Sequence, residues 1–421
     1  MAGITFPQER QKFGFRGETT WGTADTAGAF RLLPVESPDI RLMPGREEDN
    51  NPRGIWAETH DSYRTTRHAE ASLRGFYYPY LVDRFLWAIF GDDDSTSQLE
   101  IDGAAATFQK HVAPAANSTI TGSLTAGSAT VKGFSFQIED DGGDSSAYAV
   151  RGVGMVPTRI KLNFNAAEGM MMWEGDFMGA DVSFNGAIGS TAIAGGTIGK
   201  FSSGTISLPT APIRGWAADF VAWSEAAADV TSMTGRVLEA EITIDRRLEL
   251  VYRGSNTAIP SAYLWKSPRI TFNGTFELTD YDDIERYTNF EANRDSWRFA
   301  FFHASDPGVI VAGTRGAAGS LRIPAQADIF AADTGFEDDT TAFNSPINNT
   351  NFEADDERYA LVLDIKKVDF GESAVTREST TSPVRITVNG LALPDSSNNL
   401  IDLRLYDARD HGINSSVADN E

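Results

Sequence analysis

No cysteine occurs anywhere in the chain, and disulfide frameworks, thiolate zinc sites and cysteine nucleophiles are excluded with it, since each needs the sulfur. Histidine is nearly as scarce. The five present (His60, His68, His111, His303 and His411) include no pair at the close spacing of a helical metal motif. Lysine is short as well, with eight residues against 28 arginines. Long apolar runs are also missing: the longest stretch, around Tyr80 to Phe90, is broken by Asp83 and Arg84, and Met1 to Arg16 contains no apolar core of a signal peptide. The expectation is a protein that works in solution or within an assembly, with no membrane segment.

What is present is acid and apolar bulk. The 59 Asp and Glu outweigh 36 Lys and Arg, for a formal charge of −23. Tight, sequence-independent binding to nucleic acid depends on neutralising phosphates with basic side chains, so this balance argues against it. With 421 residues, 41% of them hydrophobic, there is chain for about two domains of ordinary size and material for real cores. Heavy acid with little lysine suits a protein bathed in molar salt, where screening shortens to about 3 Å and self-repulsion ceases to be costly. It suits an ordinary acidic protein too.

Segments of alternating or β-branched character recur along the chain, among them Ala69–Phe76, Phe134–Glu139, Thr158–Asn165, Met171–Phe177, Leu238–Tyr252, Ile270–Leu278, Tyr359–Phe370, Val384–Leu391 and Ile401–Tyr406. Within Ile270–Leu278 the alternation puts Ile270, Phe272, Phe276 and Leu278 on one face, and Thr271, Asn273, Thr275 and Glu277 on the other. Helices are predicted at Pro79–Phe90 and Asp280–Asn293, each directly after a strand. Strand, helix, insertion and further strands come in the same order in both halves, which implies an internal duplication. The expected division is 1–200 and 201–421, with insertions at about 92–133 and 304–357 and a Gly-rich join near Gly195–Leu208. Ala147–Val156 and Thr158–Asn165 are expected to form a hairpin turning at Pro157.

Motifs of catalysis and ligand binding fail on spacing. The acidic triplets around Asp92, Glu139 and Asp280 do not follow the alternating calcium loop and are read as solvated charge. Gly152-Val-Gly154 has no third glycine to complete a dinucleotide fingerprint, and no Gly-x-Ser-x-Gly elbow exists. The Met170-Met-Met-Trp173 cluster is read as a strand packing against a core or an interface. No catalytic, cofactor or metal residue is assigned, and no cofactor is expected.

Phe15-Arg-Gly-Glu-Thr-Thr-Trp-Gly-Thr23 resembles the N-terminal segment common in tail tube (major tail) proteins of long, non-contractile-tailed viruses. The strand Leu32–Ser37, the unit ending Leu81–Gly91, and Arg247–Asn256 with Ile270–Leu278 follow in the family's order. The resemblance implies a mainly β fold, with tandem β-sandwich or barrel-like tube domains, each carrying a flanking α-helix, plus surface insertions. It also implies a virion location, assembly in the host cytoplasm, and stacked rings, trimeric with pseudo-sixfold symmetry for a duplicated chain, that conduct the genome into the host. Implied partners are further copies of itself, the tape measure, tail terminator and distal tail proteins, and double-stranded DNA as passing cargo. Inter-ring contacts would come from Met43–Arg67 (Arg46, Trp56, Arg64, Arg67) and Arg253–Pro268 (Arg253, Trp265), with Arg269 beside them, since Trp and Arg are enriched at contact centres. Thr271, Asn273, Thr275, Glu277, Asp364 and Asp369 are the candidates for lining a lumen that repels phosphate. A carbohydrate-binding or glycosidase module using Trp and paired carboxylates is the competing class, and a capsid or decoration protein a further one.

Overall fold

The computed structural model describes residues 11–18, 20–23, 30–49, 61–78, 81–90, 98–100, 107–109, 133–140, 148–167, 169–185, 212–213, 218–223, 230–232, 237–254, 257–278, 296–303, 359–365, 367–376, 384–393 and 400–407. The first half begins β1 (Gln11–Gly17), β2 (Arg31–Leu32), β3 (Asp39–Asp49), β4 (Asp61–Phe76) and α1 (Asp83–Phe90). It continues β5 (Gln98–Glu100), β6 (Thr107–Gln109), β7 (Phe134–Asp140), β8 (Tyr148–Asn165), β9 (Met172–Gly179) and β10 (Asp181–Asn185). The second half begins β11 (Ala218–Trp223), β12 (Val230–Ser232), β13 (Val237–Val251), β14 (Ala262–Glu277) and β15 (Ser296–His303). It closes with β16 (Tyr359–Ile365), β17 (Val368–Thr376), β18 (Arg385–Ala392) and β19 (Ile401–Asp407).

Period-two patterning explains most of these strands. Along β9, Trp173, Gly175 and Phe177 point inward while Met172, Glu174 and Asp176 alternate outward. The expected hairpin at Pro157 is instead one strand. β8 runs straight through Pro157 because it changes partners there: its first part pairs β7 and β10, its second β9 and β13. The register shift between Pro157 and Arg159 is where a residue without an N–H costs no ladder bond. α1 starts at Asp83, four residues later than its apolar pattern suggested, after a turn at Leu81 and Val82. Tyr77 Oη donates to the buried Asp83 carboxylate at that start, where the exposed N–H groups of the first turn favour negative charge.

β3, β4, β9, β8, β13, β14, β18 and β17 lie side by side in one antiparallel run that crosses from the first half into the second. The free part of β8 extends this sheet sideways through β7, β1 and β2, with β10 on its other flank. A separate antiparallel sheet has the order β12, β11, β15, β16, β19. The pairings of the first half therefore recur in the second: β13 with β14 as β3 with β4, β14 with β18 as β4 with β9, and β17 with β18 as β8 with β9. Among the described residues neither of these sheets closes on itself, so the architecture there is an open antiparallel one.

The first core is aromatic. Phe85 of α1 stands between Phe15 of β1, Phe134 of β7 and Phe177 of β9, with ring centroids 4.7, 5.1 and 5.0 Å away, and Trp173 lies at 5.6 Å. In the second half Phe272 of β14 packs on Phe299 of β15 at 4.9 Å, near the buried Leu361, Leu363, Val388 and Ile386. One face of the eight-strand run is thus covered by α1 with β1 and β7 in the first half, and by strands of the five-stranded sheet in the second. Among the described residues, its opposite face carries half-buried and exposed side chains. The helix expected at Asp280–Asn293, the Gly195–Leu208 join, the 304–357 insertion and all of 92–133 except β5, β6 and Gly133 lie outside the described residues.

Candidate assembly surface

The exposed face of the eight-strand run is made of the outward residues of its strands. Thr271, Asn273, Thr275 and Glu277 stand in a row along β14. Thr243, Glu241 and Glu239 of β13 are opposite the first three, and Asn389, Thr387 and Arg385 of β18 are opposite the last three. Asp369 lies on the same face, on β17, across from Leu391. Asp364 does not join them. It is in the five-stranded sheet, across from Arg298 and Asp402.

Acids outnumber bases on this face, and the bases are held by acids. Lys161 Nζ is 2.7 Å from Glu241, whose other oxygen accepts from Asn273 Nδ2 at 3.4 Å. Arg159 is 2.7 Å from Asp176, which also accepts from Ser72 Oγ at 2.9 Å. Arg74 bonds Glu36, Arg41 pairs with Asp39, and Arg269 faces Asp245 across the ladder. Such exposed pairs add little stability. Their consequence is chemical, because a cation already matched by a carboxylate offers phosphate little counterion release.

The two segments expected to carry the inter-ring contacts, Met43–Arg67 and Arg253–Pro268, are largely strand where they are described. Asp39–Asp49 with Asp61–Phe76, and Val237–Val251 with Ala262–Glu277, are long hairpin arms. Alternation failed to reveal the distal part of the first arm because both of its faces are polar and exposed, and because Pro44 and a register shift before Arg46 interrupt it. Arg46 and Arg64 face each other across this arm, both exposed. Trp56 lies outside the described residues. Arg67 forms an ion pair with Asp181 at 2.7 Å, and its N–H donates to the Ala258 carbonyl at 2.8 Å. Arg253 is exposed beyond β13, and Arg269 is exposed on β14.

The second arm is seated on the first half, and Trp265 takes part in the seating. The Arg246 guanidinium lies 4.5 Å over the Trp265 ring and donates at 2.6 Å to the Ile89 carbonyl at the end of α1, where a cation complements the exposed carbonyls. Burial lowers the Arg246 pKa to about 10, which still leaves it charged at neutral pH. Tyr263 meets Trp265 edge-on (5.7 Å) and Trp21 at a tilt (5.3 Å), and burial pushes its hydroxyl up to about 12.

Trp21 leads to the group that reading the sequence missed. Glu18, only 3% exposed, accepts from Ser135 Oγ at 2.7 Å, Gly154 N at 2.9 Å and Gly22 N at 2.8 Å. Trp21 Nε1 donates to the Gly154 carbonyl at 2.8 Å. Glu18 thus fastens the N-terminal turn to β7 and β8, immediately under the second arm. Burial raises its pKa to about 7, against the opposing pull of the hydrogen bonds from Gly154, Ser135 and Gly22. The only signal in the sequence was its place in the Phe15–Thr23 motif.

No metal-holding group of His, Asp or Glu is found among the described residues, and no helix among them is long and apolar enough to cross a membrane. No curated protein matches the chain. A family model described as phage tail tube protein matches residues 8–392, a span that takes in both repeats of the pairing pattern and the Glu18 anchor. That match covers most of the chain, and the chain belongs to the phage tail tube protein family.

Proposed function

We propose that the chain is the main tube subunit of a long non-contractile tail, and that three copies close into a ring of pseudo-sixfold symmetry. The two tube domains are 1–200 and 201–421. Rings stack into a conduit through which the genome passes during ejection, and the role is structural, not catalytic. The observation that carries this reading is the repeated sheet with its polar face: each chain supplies two equivalent segments of wall, so three chains supply six.

Thr271, Asn273, Thr275, Glu277 and Asp369 share that face and line the lumen in this reading. Acid-matched bases let phosphate slide past without being held. The distal part of the first arm, with Arg46 and Arg64, and the surface around Arg67, Arg253 and Arg269 meet neighbouring rings. The tape measure, tail terminator and distal tail proteins meet the tube inside and at its two ends. The particle assembles in the host cytoplasm, and the acidic surface suits a saline host.

Negative-stain microscopy of the purified full chain, over a range of protein and salt concentrations, tests the proposal. Rings or tubes are expected. Compact monomers under every condition overturn it, and glycan binding by such a monomer favours the carbohydrate-binding class.

A further inference from the structure

The joint between the two halves gives a template for the joint between two copies. Inside the chain, β8 and β13 pair along their length, with Ile160 opposite Ile244 and Arg159 opposite Asp245. In the repeated pattern β17 occupies the place of β8, and β3 the place of β13. Among the described residues β3 pairs with β4 alone and β17 with β18 alone, so these strands are the two ends of the eight-strand run.

The registers align residue by residue, apart from one extra residue in β17 between Phe370 and Ser373. Leu73 is opposite Gly175 in the first half, and Phe272 is opposite Gly390 in the second. Taking these two pairs as equivalent makes Ile160 correspond to Phe370, the partners of Gly175 and Gly390 on the adjoining strands. Ile244 likewise corresponds to Ile40, the partners of Ile270 and Ala71. One residue further along, Arg159 and Asp245 correspond to Asp369 and Arg41. The charges change sides and remain complementary.

We propose that β17 of one copy adds antiparallel to β3 of the next copy, with Phe370 opposite Ile40 and Asp369 opposite Arg41. A second observation points to the same edge. Phe164, covered where β8 meets β13, is 6% exposed, whereas Val375 in the corresponding place on β17 is 50% exposed. An apolar residue bared at an unpaired strand edge invites strand addition, and in this register Val375 falls opposite Glu36, in the segment that leads into β3 and whose N–H donates to the Arg74 carbonyl of β4. The occupant is a second copy of this chain because the complementary strand is its own. This pairing rests on the ring reading above and specifies the contact that closes the ring.

The absence of cysteine makes the test clean. Directly opposed residues of an antiparallel pair lie within disulfide reach. In the assembled full chain, Arg41→Cys combined with Asp369→Cys is expected to cross-link under mild oxidation into a ladder ending at the ring size. Each single variant is expected to stay monomeric on a denaturing gel. The offset pair Asp39→Cys with Asp369→Cys is expected to give about tenfold less product, since its side chains are two residues out of register. Independently, Arg41→Asp or Asp369→Arg alone is expected to raise the concentration needed for assembly by roughly threefold to tenfold, and the exchanged double variant to bring it back. If the cysteine variants do not assemble, the charge exchange decides. Wild-type rings with no aligned cross-link, with equal linking by the offset pair, or with no rescue by the exchange overturn the strand pairing and leave the tube reading standing. A wild-type chain that never assembles overturns both.

Discussion

Glu18→Gln decides whether burial or hydrogen bonding governs the anchor. The carboxyl is pushed from its ordinary 4.5 to about 7 by burial, outweighing its bonds from Gly154, Ser135 and Gly22. A group whose folded pKa is raised binds more protons in the native state than in the unfolded state, so stability is full below about pH 4.5 and falls as pH rises through about 7. At about 1.4 kcal/mol per pH unit between those values, the loss is roughly 3 kcal/mol. Tyr263 and Arg246, the nearby titratable groups, stay uncharged and charged respectively throughout this range. Gln is uncharged like the protonated acid and keeps one oxygen for Ser135 and Gly154, but its NH2 cannot accept from the Gly22 N–H, so that one bond is lost at every pH. Denaturant unfolding of unassembled protein, read as variant minus wild type, is therefore expected to climb by roughly 3 kcal/mol between about pH 4.5 and about pH 8, from a start lowered by about 1 kcal/mol for the lost Gly22 bond. A difference that stays flat or falls as pH rises would refute the reasoning, since the hydrogen-bonded anion would then be the favoured state.

Gly154 has a φ of 68°, and a Cβ there would meet Trp21 Nε1 at 2.9 Å and Ala180 Cβ at 3.0 Å. Gly154→Ala should cost about 2–4 kcal/mol in denaturant unfolding, from left-handed strain together with displacement of Trp21. Phe85→Ala removes the ring at the centre of the first aromatic core and should cost about 3–5 kcal/mol by the same assay. The acid excess predicts that the apparent Tm climbs between low and molar salt; a flat or falling curve would show that self-repulsion is already relieved within the fold.

Sequence revealed the fold wherever one face of a strand is buried. β9, β13 and β14 show plain alternation, and the Met171 and Trp173 positions are core as their composition suggested. It failed where a strand is polar on both faces, as in the distal first arm, and where one strand serves two sheets, as in β8 through Pro157. Glu18 was hidden for another reason. Its partners Ser135 and Gly154 lie 117 and 136 residues away along the chain, and no local spacing marks a buried carboxylate assembled from such distant parts. The lumen candidates on β14 could be grouped by alternation alone, while separating Asp364 from Asp369 required knowing that β16 and β17 belong to different sheets.

The central claim is that this chain supplies two equivalent wall segments to a ring, with its polar sheet face inward. A helical reconstruction of assembled tubes at residue resolution measures this directly. The account predicts three chains per ring and Thr271, Asn273, Thr275 and Glu277 facing the lumen. Six chains per ring, or that row of residues facing outward, would contradict it.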